Sequence, residues 1–175
     1  MDTRIFGQSH IGKAVFANIN FKKGEEITEF KGQLMKRREL PELVMPEDDR
    51  FIQVGKDKYF GPSGGFDDFF NHSCHPNAGI KYVGERVILI ACKDIRKGEE
   101  ITWDYSTMMD EDQWEMDCMC KSKSCRKRIR DFKYLPKKIQ ERYMKLGIVP
   151  TYILENLKRN AGDSVHNFSL THYKI

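Results

Sequence analysis

With 175 residues, of which 39% are hydrophobic and 32% charged, the chain is long enough for one domain with a real core and too short for two comfortable ones. This balance argues against disorder and excludes fibrous and membrane compositions. The first twenty residues hold no long apolar stretch and no spanning-length apolar run occurs anywhere, so neither a cleavable leader nor a membrane helix is expected. A cytoplasmic or nuclear setting follows, with export by a non-cleaving route left open. The net charge of +4 comes mostly from Lys36-Arg37-Arg38 and the stretch Arg126 to Arg130, and points only weakly to an acidic partner.

Short apolar runs bounded by glycine and charged turns predict strands at Ala14 to Ile19, Ile27 to Phe30, Phe51 to Val54, Ile80 to Val83 and Val87 to Ala91. Gly84-Glu85 reads as a tight turn, and Lys22-Lys23-Gly24 and Arg96-Lys97-Gly98 as turns that open new strands. Between Gln33 and Arg50, charged residues interspersed with Leu34, Leu40, Leu43 and Val44 predict a partly helical insertion. Beyond residue 130 the pattern becomes helical: Pro136 suits a first turn, Ile139, Tyr143 and Leu146 share a face, and Gly147 is a natural stop. Pro150 and the run Tyr152 to Arg159 predict a second helix, and the last fifteen residues have no period. No repeat or low-complexity linker is present.

Five cysteines in a reducing compartment do not make a disulfide framework, and three of them inside residues 118 to 125 point to metal. Cys92, in an apolar run, reads as a small buried hydrophobe. His10, His75, His166 and His172 have no assignable partner and read as solvated or core histidines. The basic stretch Arg126 to Arg130 lacks an aromatic platform or groove-reading motif, so direct nucleic-acid binding is not expected, and neither is membrane association.

Two motifs carry the chemistry. Asn71-His72-Ser73-Cys74-His75-Pro76-Asn77 is followed, after a predicted hairpin, by Gly98-Glu99-Glu100-Ile101-Thr102-Trp103-Asp104-Tyr105. A seven-residue pattern with six fixed positions arises by chance at on the order of 10⁻⁸ per starting point. In these motifs the chain resembles the SET-domain protein lysine methyltransferases. Gly12-Lys13-Ala14-Val15-Phe16-Ala17, Lys23-Gly24-Glu25-Glu26-Ile27 and Glu29-Phe30-Lys31-Gly32 extend the resemblance, which covers roughly residues 9 to 129. Ala14 stands where the family usually has a second glycine, and Phe30 where it often has tyrosine.

The resemblance implies a mostly β fold of short curved sheets with a pseudoknot, followed by a zinc-binding segment and C-terminal helices. It divides the chain into a SET domain over residues 1–117 with an insertion at 33–50, a post-SET segment at 118–129, and a helical extension and tail at 130–175. It also implies S-adenosylmethionine as methyl donor, contacted by Gly12, Lys13 and Ala14 through backbone groups, by Asn71 and His72, and by Tyr105. Tyr105 is the implied catalytic residue, orienting the acceptor amine in a channel shared with Phe30 and Trp103. An indole at position 103, where the family commonly has phenylalanine or tyrosine, favours monomethylation on volume alone. Three clustered cysteines are one short of a closed tetrahedral site. By resemblance, Cys74 joins Cys118, Cys120 and Cys125 on a structural Zn²⁺, with Lys121, Lys123, Arg126 and Lys127 offsetting its charge. Glycine is frequent in the family at the positions of Lys121 and Lys127, which leaves room for a differently drawn cap.

The implied partner is a protein presenting a lysine, a histone or another basic protein. The C-terminal helices are open to covering the cofactor, completing the substrate groove or forming a homodimer. Two rival readings are a SET-like module that recognises lysine peptides without catalysis, and a zinc-stapled interaction protein; cofactor binding and methyl transfer separate them.

Overall fold

In the computed structural model, residues 2–41 and 49–160 are described. Strand β1 (Arg4–Ser9) turns back as β2 (Gly12–Ala17), pairing from Arg4↔Ala17 to Ser9↔Gly12. Gly12 closes this turn at φ 112°, a conformation that side chains resist. β3 (Glu26–Glu29) joins the hairpin β8 (Ala78–Val83) and β9 (Arg86–Ala91) in a three-stranded sheet with β9 at its centre. A second three-stranded sheet places β6 (Lys58–Phe60) between β4 (Leu34–Met35) and β5 (Ile52–Gly55). Two pairs complete the β structure: β7 (Asn71–His72) with β10 (Thr102–Trp103), and β11 (Met116–Asp117) with β12 (Arg128–Ile129).

All five expected strands and the turn between β8 and β9 are present. β1 was not among them, because Ile5 and Phe6 are both exposed and leave no alternation to read. Within the expected partly helical insertion, the described residues 33–41 and 49–50 hold one short strand and one 3-10 turn. Leu34–Met35 is a strand paired to Tyr59 and Phe60, only Arg37–Glu39 makes a single 3-10 turn, and residues 42–48 lie outside the described residues. Pairing with β6 overrides local propensity there. Gly32, at φ 129°, brings the chain so close to the Gly61 carbonyl that a Cβ would sit 2.1 Å from its oxygen.

The main core gathers Val15, Phe21, Ile27, Phe30, Phe70, Ile80, Leu89, Ile101, Trp103 and Met108 between the sheets. A second core belongs to helices α1 (Lys137–Leu146) and α2 (Thr151–Asn160). Pro136 caps α1, and Gly147 ends it in the left-handed region at φ 67°, where its N–H reaches Met144 O and the next N–H reaches Tyr143 O. Ile139, Tyr143 and Leu146 do share the inward face and pack with Phe132, Ile148 and Ile153. Ile90 and Cys92 of the β9 region press against this second core, and burial pushes the Cys92 thiol up to about 11, as suits an inert packing residue. The expected tail, 161–175, lies outside the described residues.

The helices dock onto the SET-like body through polar anchors as well as apolar area. The Tyr152 hydroxyl donates to Met108 O (2.6 Å) and Gln53 O (3.1 Å), and Asn156 bonds Asp110. No described helix is long and apolar enough to cross a membrane.

Candidate active site and cysteine cluster

The site forms where two distant stretches of chain interlace. β7 and β10 run parallel, with Thr102 opposite Asn71 and Trp103 opposite His72, and Ser73 N–H continues the pairing to Trp103 O at 3.0 Å. Two-residue strands are too short to hold themselves. Asn77 supplies the missing stitches: its Nδ2 donates to Glu100 O (2.8 Å) and its Oδ1 accepts from Thr102 N–H (2.9 Å), so a side chain acts as a further strand. The motif asparagine at this position therefore builds the site from behind.

Asp104 is the centre of the polar network. Its side chain is wholly buried, and Oδ1 accepts from Arg126 Nη2 (2.7 Å) and Ser106 N–H (3.2 Å), while Oδ2 accepts from the Tyr143 hydroxyl (2.9 Å). Sequence reading quoted Asp104 only as part of a motif. The available signal was a carboxylate wedged between Trp103 and Tyr105 in an apolar stretch, which must find cationic or hydrogen-bonding partners when buried.

His72 lies between this network and the cysteines. Burial lowers its pKa to about 4, Asp104 opposing and Arg126 reinforcing, so the ring is neutral at physiological pH. Nδ1 accepts the Tyr105 N–H at 3.2 Å, so the ring proton belongs on Nε2, which points at Cys74 Sγ, 3.3 Å away. A protonated Nε2 is a donor to that sulfur and cannot ligate a metal.

Around Tyr105 the walls are aromatic. Its ring lies 4.8 Å from Trp103, 5.3 Å from His72 and 6.5 Å from Trp114, centroid to centroid. The hydroxyl donates to Phe70 O at 2.9 Å. Burial raises its pKa above the usual phenol range, so it stays protonated and retains acceptor capacity. A cavity of about 420 Å³ opens here, within the range of small-molecule sites, and Lys13, Asn71, His72, Trp103 and Tyr105 all line it. Met119 and Cys120 bring the cysteine segment to the same cavity, and His10 Nε2 meets Met119 O at 2.8 Å, tying the β1–β2 tip to that segment.

The other expected cofactor and channel residues stand further back. Gly12 and Ala14 are not among the lining residues; Ala14 is fully buried in β2 and has no positive φ, so the missing second glycine distorts nothing. Phe30 is 2% exposed and packs behind Trp103, 6.0 Å between ring centroids. Lys13 turns its ammonium outward onto Phe6 (4.0 Å) and Phe69 (3.8 Å), while its carbonyl accepts from Asn71 Nδ2 at 3.4 Å. The same Nδ2 donates to Glu100 Oε1 at 2.8 Å, and among the described residues no donor meets Asn71 Oδ1. On the cavity wall sequence reading missed Glu111, whose carboxylate accepts from Tyr59 (2.7 Å) and pairs with Arg37 (3.1 Å).

All four expected cysteines converge. Cys74 Sγ lies 3.6 Å from Cys118 Sγ, and the Cys125 thiol reaches those of Cys118 and Cys120. Tetrahedral Zn–S bonds of about 2.3 Å place sulfurs about 3.8 Å apart, so this spacing fits zinc. The ligating atoms of His72, Cys74, Cys118 and Cys120 also fall within 4.8 Å of one another, so His72 and Cys125 are the two candidates for a fourth donor, and the His72 tautomer favours Cys125. Backbone N–H groups of Arg126 and Lys127 point at Cys74 Sγ (3.3 Å) and Cys125 Sγ (3.4 Å), as around thiolates; the compensation comes from the main chain more than from ammonium groups. Burial pushes the Cys74 thiol up to about 11 and raises Cys118 further. Burial also works against a Cys120 thiolate, but backbone N–H groups of Cys74 and Ser122 outweigh it and bring that thiol down to about 7. Lys121 and Lys127, in positions where the family often has glycine, take the left-handed conformation at φ 55° and 67°, which a side chain resists.

Comparison with known proteins agrees with this geometry. The family described as SET domain matches residues 12–106. A variant-silencing SET domain-containing protein of Plasmodium falciparum is 31% identical over 95% of the chain, which spans 7% of that relative. The histone-lysine N-methyltransferase set-2 of Caenorhabditis elegans is 45% identical over 36% of the chain, itself 4% of that protein's length. Among solved structures, the methyltransferase domain of human histone-lysine N-methyltransferase SETMAR aligns with TM-score 0.58 and 21% identity, covering 71% of this chain and 56% of that one. KRYPTONITE, solved with mCHH DNA, an H3(1-15) peptide and SAH, aligns with TM-score 0.56 and 21% identity over 70% of this chain and 28% of its own. Motifs, fold and relatives together place the chain in the SET-domain lysine methyltransferase family.

Proposed function

We propose that this chain is an S-adenosylmethionine-dependent protein-lysine N-methyltransferase, acting on a histone or another basic protein, with Cys74, Cys118, Cys120 and Cys125 holding a structural zinc ion. The observation that carries the reading is that Asn71, His72, Trp103 and Tyr105 line one cavity beside the cysteine cluster. The SAH and H3 peptide of the KRYPTONITE complex and the name of the set-2 relative support the choice of donor and acceptor class.

S-adenosylmethionine, when bound, supplies an electrophilic methyl group on a sulfonium. The chain's own residues must bind, orient and exclude water, because an in-line displacement needs alignment more than acid-base machinery. Asn71 Oδ1, which meets no donor among the described residues, is placed to accept from an ammonium group; the Lys13 backbone lies beside it. The acceptor lysine must be neutral, which at pH 7.4 costs about 4 kcal/mol from an ordinary pKa near 10.4. A channel walled by Tyr105 and Trp103 lowers that cost by disfavouring the charged amine. The Tyr105 hydroxyl spends its proton on Phe70 O and keeps lone pairs to accept an amine N–H and aim the nitrogen. Trp103, 5% exposed and against Tyr105, fills space that a second methyl would need, so monomethyl-lysine is the expected product.

The test is transfer of radiolabelled methyl from S-adenosylmethionine onto histones and onto a whole-cell protein extract. Label on lysine that is lost with Tyr105→Phe and Asn71→Ala supports the reading. Absence of cofactor binding by the zinc-loaded protein defeats it.

A further inference from the structure

We propose that Tyr143, on helix α1 and outside the stretch that matches the family, is a positioning residue for Tyr105; this rests on the methyltransferase reading. The hydroxyl of Tyr143 donates to Asp104 Oδ2 at 2.9 Å, and among the described residues it is the sole donor to that oxygen. Oδ1 is engaged by Arg126 and by Ser106 N–H. Both residues of the pair are 1% exposed, so no water can replace the phenol if it is removed.

Asp104 immediately precedes Tyr105, and the two are fixed by a chain of short contacts. Asp104 O accepts from Thr107 Oγ1 (2.8 Å) and Thr107 N–H (2.9 Å), which curls residues 105–108 into a 3-10 turn; Tyr105 N–H is held by His72 Nδ1 at 3.2 Å. The aim of the Tyr105 hydroxyl depends on where this turn sits. Without the Tyr143 hydroxyl, Asp104 Oδ2 is buried and unpaired, and a carboxylate that shifts to find another donor drags on the Ser106 N–H that Oδ1 holds. That N–H belongs to the residue after Tyr105, so the shift moves the 3-10 turn that aims the Tyr105 hydroxyl. The helices are thus part of the machinery that sets the acceptor geometry, and neither a cover nor a dimerisation surface is needed to explain why they dock where they do.

The test compares Tyr143→Phe, which deletes only the hydroxyl, with Ile153→Val, which loosens the same helix pair without touching Asp104. With zinc-loaded protein, Tyr143→Phe is expected to lower single-turnover methyl transfer about tenfold, the typical worth of a buried hydrogen bond to a charge. KM for S-adenosylmethionine and for a histone peptide should stay within about twofold, because the ground-state contacts are intact. Ile153→Val should keep the wild-type rate despite a lower Tm. Amide exchange read at Tyr105 and Ser106 should accelerate in Tyr143→Phe and not in Ile153→Val. An unchanged rate with unchanged exchange in Tyr143→Phe, or an equal loss in Ile153→Val, overturns the proposal. A wild type that transfers no methyl defeats the enzymatic reading instead, and the exchange comparison still decides whether Tyr143 fixes the turn.

Discussion

The wall around Tyr105 and the cysteine cluster touch each other through His72, yet they are held in different ways. The wall is preformed: Trp103 meets Phe30 and His72 meets Tyr105 edge to face, Asn77 stitches two strands, and every bond to Asp104 is made by the protein itself. The cluster is a set of converging thiols on a segment with two strained lysines, and its sulfurs lie as close as they would on a shared cation. One half is a folded core with a pocket in it, and the other is a group of thiols gathered as a metal would gather them.

The largest effect that sharpens this contrast is metal removal. Chelation of zinc is expected to unfold the β11–β12 hairpin, expose four titratable thiols and abolish transfer, while β8 and β9 keep their amide protection; thiol titration with hydrogen exchange reads both. Cys125→Ser should lose stoichiometric zinc and His72→Ala should keep it, as measured by metal analysis, because the His72 proton sits on the atom facing the cluster. A His72→Ala protein without zinc would reverse the assignment of the fourth ligand.

Next comes the carboxylate that joins the two halves. Asp104→Ala leaves the Arg126 guanidinium, 12% exposed, without its partner, and should cost about 3–5 kcal/mol in urea unfolding. A loss below about 1 kcal/mol would mean that the network is not a structural hub. Trp103→Phe is a smaller perturbation, expected to lower stability by about 1–2 kcal/mol through lost volume and to shift the product from monomethyl- toward dimethyl-lysine by mass spectrometry. Unchanged product would remove Trp103 from the channel's control of methyl number. The smallest effect is a gain: Lys121→Gly and Lys127→Gly should each raise stability by about 1 kcal/mol in the zinc-loaded protein, since glycine takes a left-handed φ without strain.

Much of this was legible in the residues. The resemblance carried by the paired motifs implies the β7–β10 contact and brings Cys74 to the three cysteines that spacing alone groups, while Pro136, Gly147 and the apolar period give α1 nearly to the residue. The rest was hidden because it depends on partners far along the chain. β4 forms because β6 is there to pair with it, β1 because β2 folds back on it, and Glu111 faces the cavity because Arg37 and Tyr59 hold it. Asp104 was quoted without a role, since nothing local reveals that its partners are Arg126 and Tyr143. Phe30 stands behind Trp103 rather than on the cavity wall, a depth that a linear pattern does not encode.

The parallel pairing of Asn71–His72 with Thr102–Trp103 also bears on how the molecule is made. Antiparallel neighbours close through a tight turn, but these two short strands meet only after the whole β8–β9 hairpin has been laid down between them. Such a contact must wait for a long loop to close and contributes little until Asn77 and Ser73 lock it. The hairpin is therefore expected to gain amide protection early in refolding and the β7–β10 pair late, with the cavity appearing last. The same interlacing should make escape slow, giving a native state that persists longer than its modest core would suggest.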